Sequence, residues 1–377
     1  METVIGGASA PGKTRKIAFV FVGMPVGGAE DFALSAATHL TPDFEPHFVC
    51  LREFGALGEE ARASGLRIHL APFFPSKIVN PLNIRRFAAW LRREEIALVH
   101  SQTHHAHIFA TRAARLAGIP SVVHQQKTLE PLPWRRRRIF GACLRRASRV
   151  VALSPQTARD LQEAFALPPG KLAVVPNAID KTVFRPAADR MEVRRSLGLP
   201  PEGLLLGTVA RLHPDKNHAV IIEALALLAA RGEPATAVFV GEGPLRGQLE
   251  GVAQARGVGG RVIFAGRQRP VAPWFQAMDF FVLPSTWEGQ PLALLQALCC
   301  RVPVLASGIE GNTAVLGEDD PGLFAPADAN ALAGLLAEAS AGHELRRRLL
   351  DRQASVPVPG SDDAAELLET VYHSLVR

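Results

Sequence analysis

Leu283-Pro284-Ser285-Thr286-Trp287-Glu288-Gly289-Gln290-Pro291-Leu292-Ala293-Leu294-Leu295-Gln296-Ala297 decides how this chain is read. The apolar run Phe280 to Leu283 predicts a buried strand, and Pro-Ser-Thr predicts a turn. Apolar spacing at 292, 294, 295 and 298 predicts a helix. Pro291 suits the first helical position, where the N–H that proline lacks has no intrahelical partner. Glu288 then lies on the loop ahead of a helix N-terminus, at the carboxyl end of a strand. Open α/β sheets bind ligands there, and free amides attract phosphate. Gln296 falls about five residues into the helix, roughly 7–8 Å along its axis. A diphosphate at the helix mouth would have a polar side chain on each flank. Taken alone, the stretch also fits an ordinary strand-turn-helix with one exposed glutamate.

Working outward, Leu204 to Ala210 reads as a strand followed by Arg211-Leu212-His213-Pro214-Asp215-Lys216-Asn217-His218. Asn217 is suited to cap a helix over Ala219 to Arg231, with Gly232 as its stop. Arg211 and Lys216 beside a helix N-terminus suit a diphosphate, a planar fork and a compact charge; two solvated surface charges are the alternative. Val240-Gly241-Glu242-Gly243-Pro244-Leu245-Arg246-Gly247 fails the dinucleotide spacing, because the third glycine is one residue late and a proline intrudes.

Towards the N-terminus, Lys16 to Val22 predicts a first strand, followed by Gly27-Gly28-Ala29-Glu30 and a helical pattern. Strands over Phe48 to Leu51, Arg67 to Leu70, Ala97 to His100, Ser121 to His124, Arg149 to Leu153 and Lys171 to Val175 alternate with helical stretches. Alternation of this kind argues for a doubly wound parallel sheet. The linker is placed near Phe184 to Arg190, and the strand pattern then repeats at 235–240, 261–264, 280–283 and 302–306. The expected division is a tail over 1–15, one α/β domain over 16–187 and a second over 188–360. A C-terminal helix over 361–377 is expected to pack back on the first domain.

At 377 residues, 47% hydrophobic and 21% charged, the chain is long enough for two cores. No apolar run reaches membrane-helix length, and residues 1–16 lack the apolar core of a secretion signal. Cys50, Cys143, Cys299 and Cys300 lack metal spacing and read as buried thiols, the alternative being a vicinal redox pair at 299–300. The net charge of +6 fits an acidic ligand or anionic surface. With 6% aromatics and no aromatics interleaved among the basic runs, nucleic acid is not expected.

Two further clusters carry chemistry. His100-Ser101-Gln102-Thr103-His104-His105-Ala106-His107 follows the fourth strand, and is read as a polar loop. It could bind a metal, present one histidine to a substrate, or do neither. Trp134-Arg135-Arg136-Arg137-Arg138-Ile139-Phe140, with Arg145 and Arg146, is a basic helix suited to an anionic bilayer or to simple solvation.

Together these stretches resemble a family 4 glycosyltransferase of GT-B architecture, from Lys16 to about Leu336. Gly27-Gly28-Ala29-Glu30 is similar to the first glycine-rich loop. Val151-Ala152-Leu153-Ser154 and Val175-Pro176-Asn177-Ala178-Ile179-Asp180 resemble the blocks before the linker, with Ala178 where the family usually has Gly. Val209 to Asn217, Gly241-Glu242-Gly243-Pro244, Phe264-Ala265-Gly266-Arg267 and Pro284 to Gln296 follow in the family's order.

The resemblance implies two Rossmann-like domains facing a central cleft. It implies a retaining glycosyltransferase that needs no cofactor or metal and moves a sugar from a nucleotide-diphosphate donor. Arg211 and Lys216 would hold the diphosphate, and Glu288 the donor sugar. Gly289, Gln290, Pro291 and Leu292 would hold sugar and phosphate, and Gln296 would face the ribose. Gly27, Gly28, Gly266 and Arg267 would line the donor. His105 would face the donor sugar, with Gln102 and His104 as rivals, and Glu30, Gln102, His104 and His124 are acceptor-side candidates. The family's second glutamate is Gln296 here, which implies weaker donor binding. The expected acceptor is a glycan or lipid-linked hydroxyl in envelope synthesis, at the inner face of the cytoplasmic membrane. A sugar-nucleotide epimerase and a nucleotide-sugar-binding pseudoenzyme are the alternatives.

Overall fold

The computed structural model describes residues 14–25, 27–71, 80–125, 133–233 and 235–376. Two compact units divide the chain, one of Met1–Ala178 with Ser361–Arg377 and the other of Ile179–Gly360.

In the first unit, strands β1 (Arg15–Phe21), β2 (Phe44–Cys50), β3 (Ile68–Leu70), β4 (Ile96–Ser101), β5 (Ser121–Gln125), β6 (Arg149–Ala152) and β7 (Leu172–Val174) alternate with helices. The helices are α1 (Gly28–Thr38), α2 (Gly55–Ala63), α3 (Pro81–Arg93), α4 (His104–Ala117), α5 (Trp134–Arg146) and α6 (Pro155–Phe165). The strands pair in parallel in the order β3-β2-β1-β4-β5-β6-β7. Parallel strands covered on both faces must be apolar throughout, and Ile17 to Phe21 are accordingly all buried. Side-chain caps set two helix starts: Asn80 accepts from the Leu82 amide ahead of α3, and Ser154 from the Thr157 amide ahead of α6, each with proline next.

The second unit contains α7 (Arg190–Ser196), β8 (Leu204–Val209), α8 (Ala219–Ala230), β9 (Ala235–Val240), α9 (Arg246–Ala255), β10 (Val262–Gly266), α10 (Ala272–Ala277) and β11 (Phe280–Leu283). It continues with α11 (Leu292–Cys299), β12 (Val304–Ser307), α12 (Glu310–Leu316), β13 (Leu323–Phe324), α13 (Ala329–Ala341) and α14 (Glu344–Gln353). Its parallel sheet runs β10-β9-β8-β11-β12-β13. Winding reverses between β1 and β4 in one sheet and between β8 and β11 in the other. Crevices for ligands open outside the carboxyl ends of strands at such reversals.

Helix α15 (Ser361–His373) returns to the first unit. Tyr372 is fully buried, and its hydroxyl lies 2.6 Å from His100 Nδ1. Ser361 Oγ meets Ser35 Oγ of α1 at 2.6 Å, and Glu369 accepts from the Thr41 amide.

Several boundaries differ from expectation. Arg15 already pairs with Phe44 in β1, so it lies outside the tail; residues 1–13 lie outside the described residues. The chain leaves the first unit at Ala178, ahead of the Pro/Ala-rich stretch. Phe184 packs edge-on against Phe275, and the Arg185 carbonyl accepts from Gln276, which ties this stretch to the second unit. Cys50, Cys143 and Cys300 are buried free thiols, while Cys299 is half-buried.

Candidate functional site

Both reversal points carry the residues singled out in the sequence. In the second unit, the loop after β8 holds Arg211, His213, Asp215 and Lys216, and the loop after β11 holds Ser285 to Pro291. The loops are joined directly: the Thr286 amide donates to the Asp215 carbonyl at 2.8 Å. Lys216 Nζ donates to Glu288 Oε1 at 2.5 Å, and Ser285 Oγ donates to the same oxygen at 2.7 Å. The pair is largely withdrawn from water, with 18% of the Lys216 side chain exposed and 10% of the Glu288 side chain.

Glycines pack the β8 loop against the loop after β9. A Cβ at Gly243 would stand 2.3 Å from the Leu212 carbonyl oxygen, so no other residue fits without backbone movement. That contact lets the Leu212 amide donate to the Glu242 carbonyl and the Leu245 amide to the Leu212 carbonyl. The glycines at 241 and 243, rejected as a dinucleotide loop, thus brace the Arg211–Lys216 loop.

Arg211 is exposed, and its guanidinium makes no side-chain hydrogen bond among the described residues. His213 Nδ1 pairs with Asp215 Oδ1. Burial pushes the Asp215 carboxyl up, but the His213 bond and the charges of Lys216, His213 and Arg211 outweigh it and hold it below its ordinary value. The loop is therefore a cationic surface that stabilises a negative group next to it.

Asn217 does not cap α8. It adopts the left-handed conformation, φ 48°, at the end of a single 3-10 turn over Pro214–Lys216, and His218 takes the cap position without a side-chain bond. Asparagine tolerates that conformation better than most residues. Its turn places Lys216 one residue before the chain reverses into α8. Pro291 is the N-cap of α11 and Leu292 its first residue, one position later than expected. Gln296 is half-buried within α11. Gly266, φ +70°, ends β10 and its carbonyl accepts from the Gly241 amide; Arg267 beside it is exposed. Gly289 and Gln290 complete the loop between Glu288 and Pro291.

The remaining candidates belong to the first unit. Gly27 is the extended N-cap of α1 and Gly28 its first residue. A Cβ at Gly27 would lie 2.6 Å from Glu30 Oε2, so the glycine makes room for the buried Glu30 side chain. The histidine cluster is not the polar loop expected. Helix α4 begins at His104, and buried Ala106, Phe109, Ala110 and Ala113 form its core-facing stripe. His104 packs on Phe140 with ring centroids 4.5 Å apart, while His107 is buried and hydrogen-bonds Ser101 Oγ at 2.8 Å. His105 is exposed, and burial of part of its ring, with Arg136 and Arg52 nearby, lowers its pKa.

Gln102 is buried at the end of β4. His124 is fully buried, stacked on His100 at 5.3 Å and edge-on to Phe32, with no hydrogen-bond partner for either ring nitrogen among the described residues. It is a core imidazole whose pKa burial drives down to about 3, and it presents nothing to solvent. Among the described residues no group of three or more His, Cys, Asp and Glu could hold a metal.

Sequence reading passed over what lies behind Glu288. Ser307, at the end of β12, donates to the Ser285 carbonyl at 2.5 Å, and Asn312 of α12 donates to the Ser307 carbonyl at 2.9 Å. Ser307 stands 22 residues from Ser285, and the contact that joins them is set by the pairing of β11 with β12 rather than by any local pattern.

Residues 26–183 match the family described as Glycosyltransferase Family 4, and residues 189–354 match Glycosyl transferases group 1. A Bacillus subtilis protein named as glycosyltransferase EpsF is 29% identical over 312 residues, 78% of this chain and 79% of that one. The Escherichia coli UDP-Gal:alpha-D-GlcNAc-diphosphoundecaprenol alpha-1,3-galactosyltransferase is 30% identical over 248 residues, 62% of this chain and 63% of that one. The solved structure of Anabaena HepE in complex with UDP and glucose superposes with a TM-score of 0.83 at 20% identity, covering 96% of this chain and 100% of that one. With both sheets wound as described and these two families matched one after the other along its length, the chain belongs to the family 4, group 1 glycosyltransferases and has the GT-B architecture.

Proposed function

We propose that the protein is a retaining, metal-independent hexosyltransferase that moves a sugar from a nucleotide-diphosphate sugar to a glycan or lipid-linked hydroxyl in envelope polysaccharide or glycolipid synthesis. The observation that carries this reading is the Lys216–Glu288 pair at the β8/β11 reversal, with the uncommitted Arg211 guanidinium on the same loop. Arg211 and Lys216 take the diphosphate and stabilise charge as it develops on the leaving group. Preorganised stabilisation of this kind is usually the largest catalytic term. Glu288 accepts from hydroxyls of the donor sugar, and the amides at the start of α11 face sugar and phosphate. Gln296 faces the ribose. The leaving phosphate takes the proton of the acceptor hydroxyl, which attacks from the face the phosphate leaves. The two cations do the work that a metal ion does in other transferases. The first unit takes the acceptor, with exposed His105 as the residue facing the donor sugar.

HepE in complex with UDP and glucose supports a nucleotide-linked hexose donor. The E. coli relative, whose name specifies a diphosphoundecaprenol-linked sugar, supports a lipid-linked acceptor. No helix among the described residues is long and apolar enough to cross a membrane. Peripheral attachment through α5 fits such an acceptor: Phe140, Cys143 and Leu144 are buried, while Arg135 to Arg138 are exposed together with Trp134 and Ile139. Arg145 and Arg146 extend the charge.

The test is a thermal-shift screen of UDP-, GDP- and ADP-sugars, followed by transfer assays and by NMR of the product anomer. A bound donor at 100 times its Kd adds about 2.7 kcal/mol to stability. The reading fails if no nucleotide sugar stabilises the protein or is consumed. It fails in its finer part if the product is inverted or if a chelator abolishes transfer. For the membrane, Arg135, Arg136, Arg137 and Arg138 changed together to Gln should lose salt-sensitive binding to anionic vesicles; unchanged binding removes α5 from the proposal.

A further inference from the structure

Behind the Glu288 loop runs a buried polar chain whose far members, Ser307 and Asn312, lie in none of the sequence motifs. We infer that Asn312 is a positioning residue of the donor site, acting through Ser307 and Ser285 on the Glu288 carboxylate. This rests on the donor-site reading above.

Asn312, Ser307 and Ser285 are all fully buried. Asn312 Nδ2 donates to the Ser307 carbonyl at 2.9 Å and approaches Ser307 Oγ at 3.3 Å. A serine hydroxyl has one proton to give. With the Asn312 amide directed at its oxygen, the Ser307 hydroxyl points its proton away from Asn312. The near acceptor is the Ser285 carbonyl at 2.5 Å, and the far one is the Leu283 carbonyl at 3.4 Å. Ser285, held by its carbonyl, gives its own hydroxyl proton to Glu288 Oε1 at 2.7 Å.

On the other flank the Thr286 amide is held by the Asp215 carbonyl, and Lys216 takes the same Oε1. The turn is therefore clamped from both sides. Glu288 Oε2 is the oxygen that carries neither of these bonds, and so is the one turned over to a sugar hydroxyl.

Helix α12 also touches Glu288 directly. A Cβ at Gly311 would lie 2.4 Å from the Glu288 carbonyl oxygen and 2.8 Å from its Cβ. The backbone at 288 thus rests against α12 one residue before Asn312. A residue serving packing alone would be better apolar at zero exposure, since Asn312 Oδ1 has no hydrogen-bond partner among the described residues. What the amide secures is the direction of the Ser307 proton.

The experiment compares affinities for a nucleoside diphosphate and for its glucose conjugate, using UDP, GDP and ADP and taking the pair that wild type binds best. If Glu288 reads the sugar, the ratio of the two affinities senses its orientation, because any effect passed through Lys216 to the diphosphate is common to both ligands. Asn312→Ala and Ser307→Ala should each weaken the conjugate about tenfold relative to the free diphosphate, the loss of one bond to a charged group. Affinity for the free diphosphate should stay within about twofold of wild type. Ser307→Ala is the smaller change and serves if Asn312→Ala does not fold. Equal losses for both ligands, or no loss, overturn the inference. Glu288→Gln is measured alongside. If it moves the ratio while the other two variants do not, the positioning role alone is wrong. If it leaves the ratio unchanged, or no pair binds wild type, the donor-site reading fails and the inference with it.

Discussion

Lys216 and Ser285 converge on one oxygen of Glu288, Oε1, at 2.5 Å and 2.7 Å. The same lysine is proposed to bind the donor diphosphate, so carboxylate and phosphate compete for one ammonium group. Removing the charge of Glu288 should release Lys216 for phosphate. Glu288→Gln is expected to bind free nucleoside diphosphate about two- to fivefold more tightly, a gain of roughly 0.5–1 kcal/mol. Its transfer rate should fall at least about 100-fold, roughly 2.7 kcal/mol of lost transition-state stabilisation. Calorimetric titration beside single-turnover transfer separates the two effects; an unchanged transfer rate would remove Glu288 from the sugar site.

Gln296→Glu is expected to strengthen donor binding. An ionised acceptor contributes about 1.5–3 kcal/mol to a hydrogen bond against about 0.5–1.5 for a neutral one. A gain near 1 kcal/mol is about fivefold in Kd. Titration with the nucleotide sugar and with the matching 2′-deoxy nucleotide checks the direction. An identical Kd for both proteins would mean that the side chain at 296 does not touch the donor.

Acid should destabilise the fold through imidazoles that burial keeps neutral. His218 is buried with both ring nitrogens unpartnered among the described residues, and burial, then the Lys216 charge, hold its pKa at about 4. His124 is held at about 3 by burial. An unfolded histidine titrates near 6.5, so the unfolded chain takes up protons that the folded one refuses. Stability is full above pH 6.5 and is lost as the pH falls towards 4. The His218 share is on the order of 3 kcal/mol over that window. Urea unfolding of wild type and His218→Leu at pH 7, 5.5 and 4.5 should give a shallower decline for the variant; parallel declines would contradict this assignment.

Tyr372→Phe removes the one hydroxyl that meets His100 Nδ1 in the core of the first unit. Leaving a buried polar atom unpaired costs about 1–3 kcal/mol. Denaturant titration should show that loss with the slope unchanged, whereas a difference below about 0.5 kcal/mol would mean the contact is dispensable.

Much of the fold can be read from the one-dimensional pattern, because parallel strands buried on both faces write themselves as apolar runs. Phe280 to Leu283 and Ile17 to Phe21 are examples. The placement of Arg211, Lys216 and Glu288 just past the carboxyl ends of β8 and β11 follows too. Other features depend on competing local preferences. Asparagine suits both a helix cap and a left-handed turn, and only the packed loop shows that Asn217 takes the second. The start of α4 is masked by His104, His105 and His107, weak helix formers, although the spacing 106, 109, 110 and 113 was available. The burial of His124, and the line from Asn312 to Glu288, come from strands and helices brought together across long sequence gaps.

Helix α15 gives the first unit two separate pieces of chain, with all of Ile179–Gly360 between them. During synthesis the seven-stranded sheet is translated long before Tyr372, Leu368 and Ala364 exist to fill its core. Domains emerging from a ribosome usually fold as they appear. Here the second unit, encoded later, is continuous and is translated in full before the first is complete. The half of the enzyme made first is thus finished only after the second, when Tyr372 arrives to meet His100 in its core.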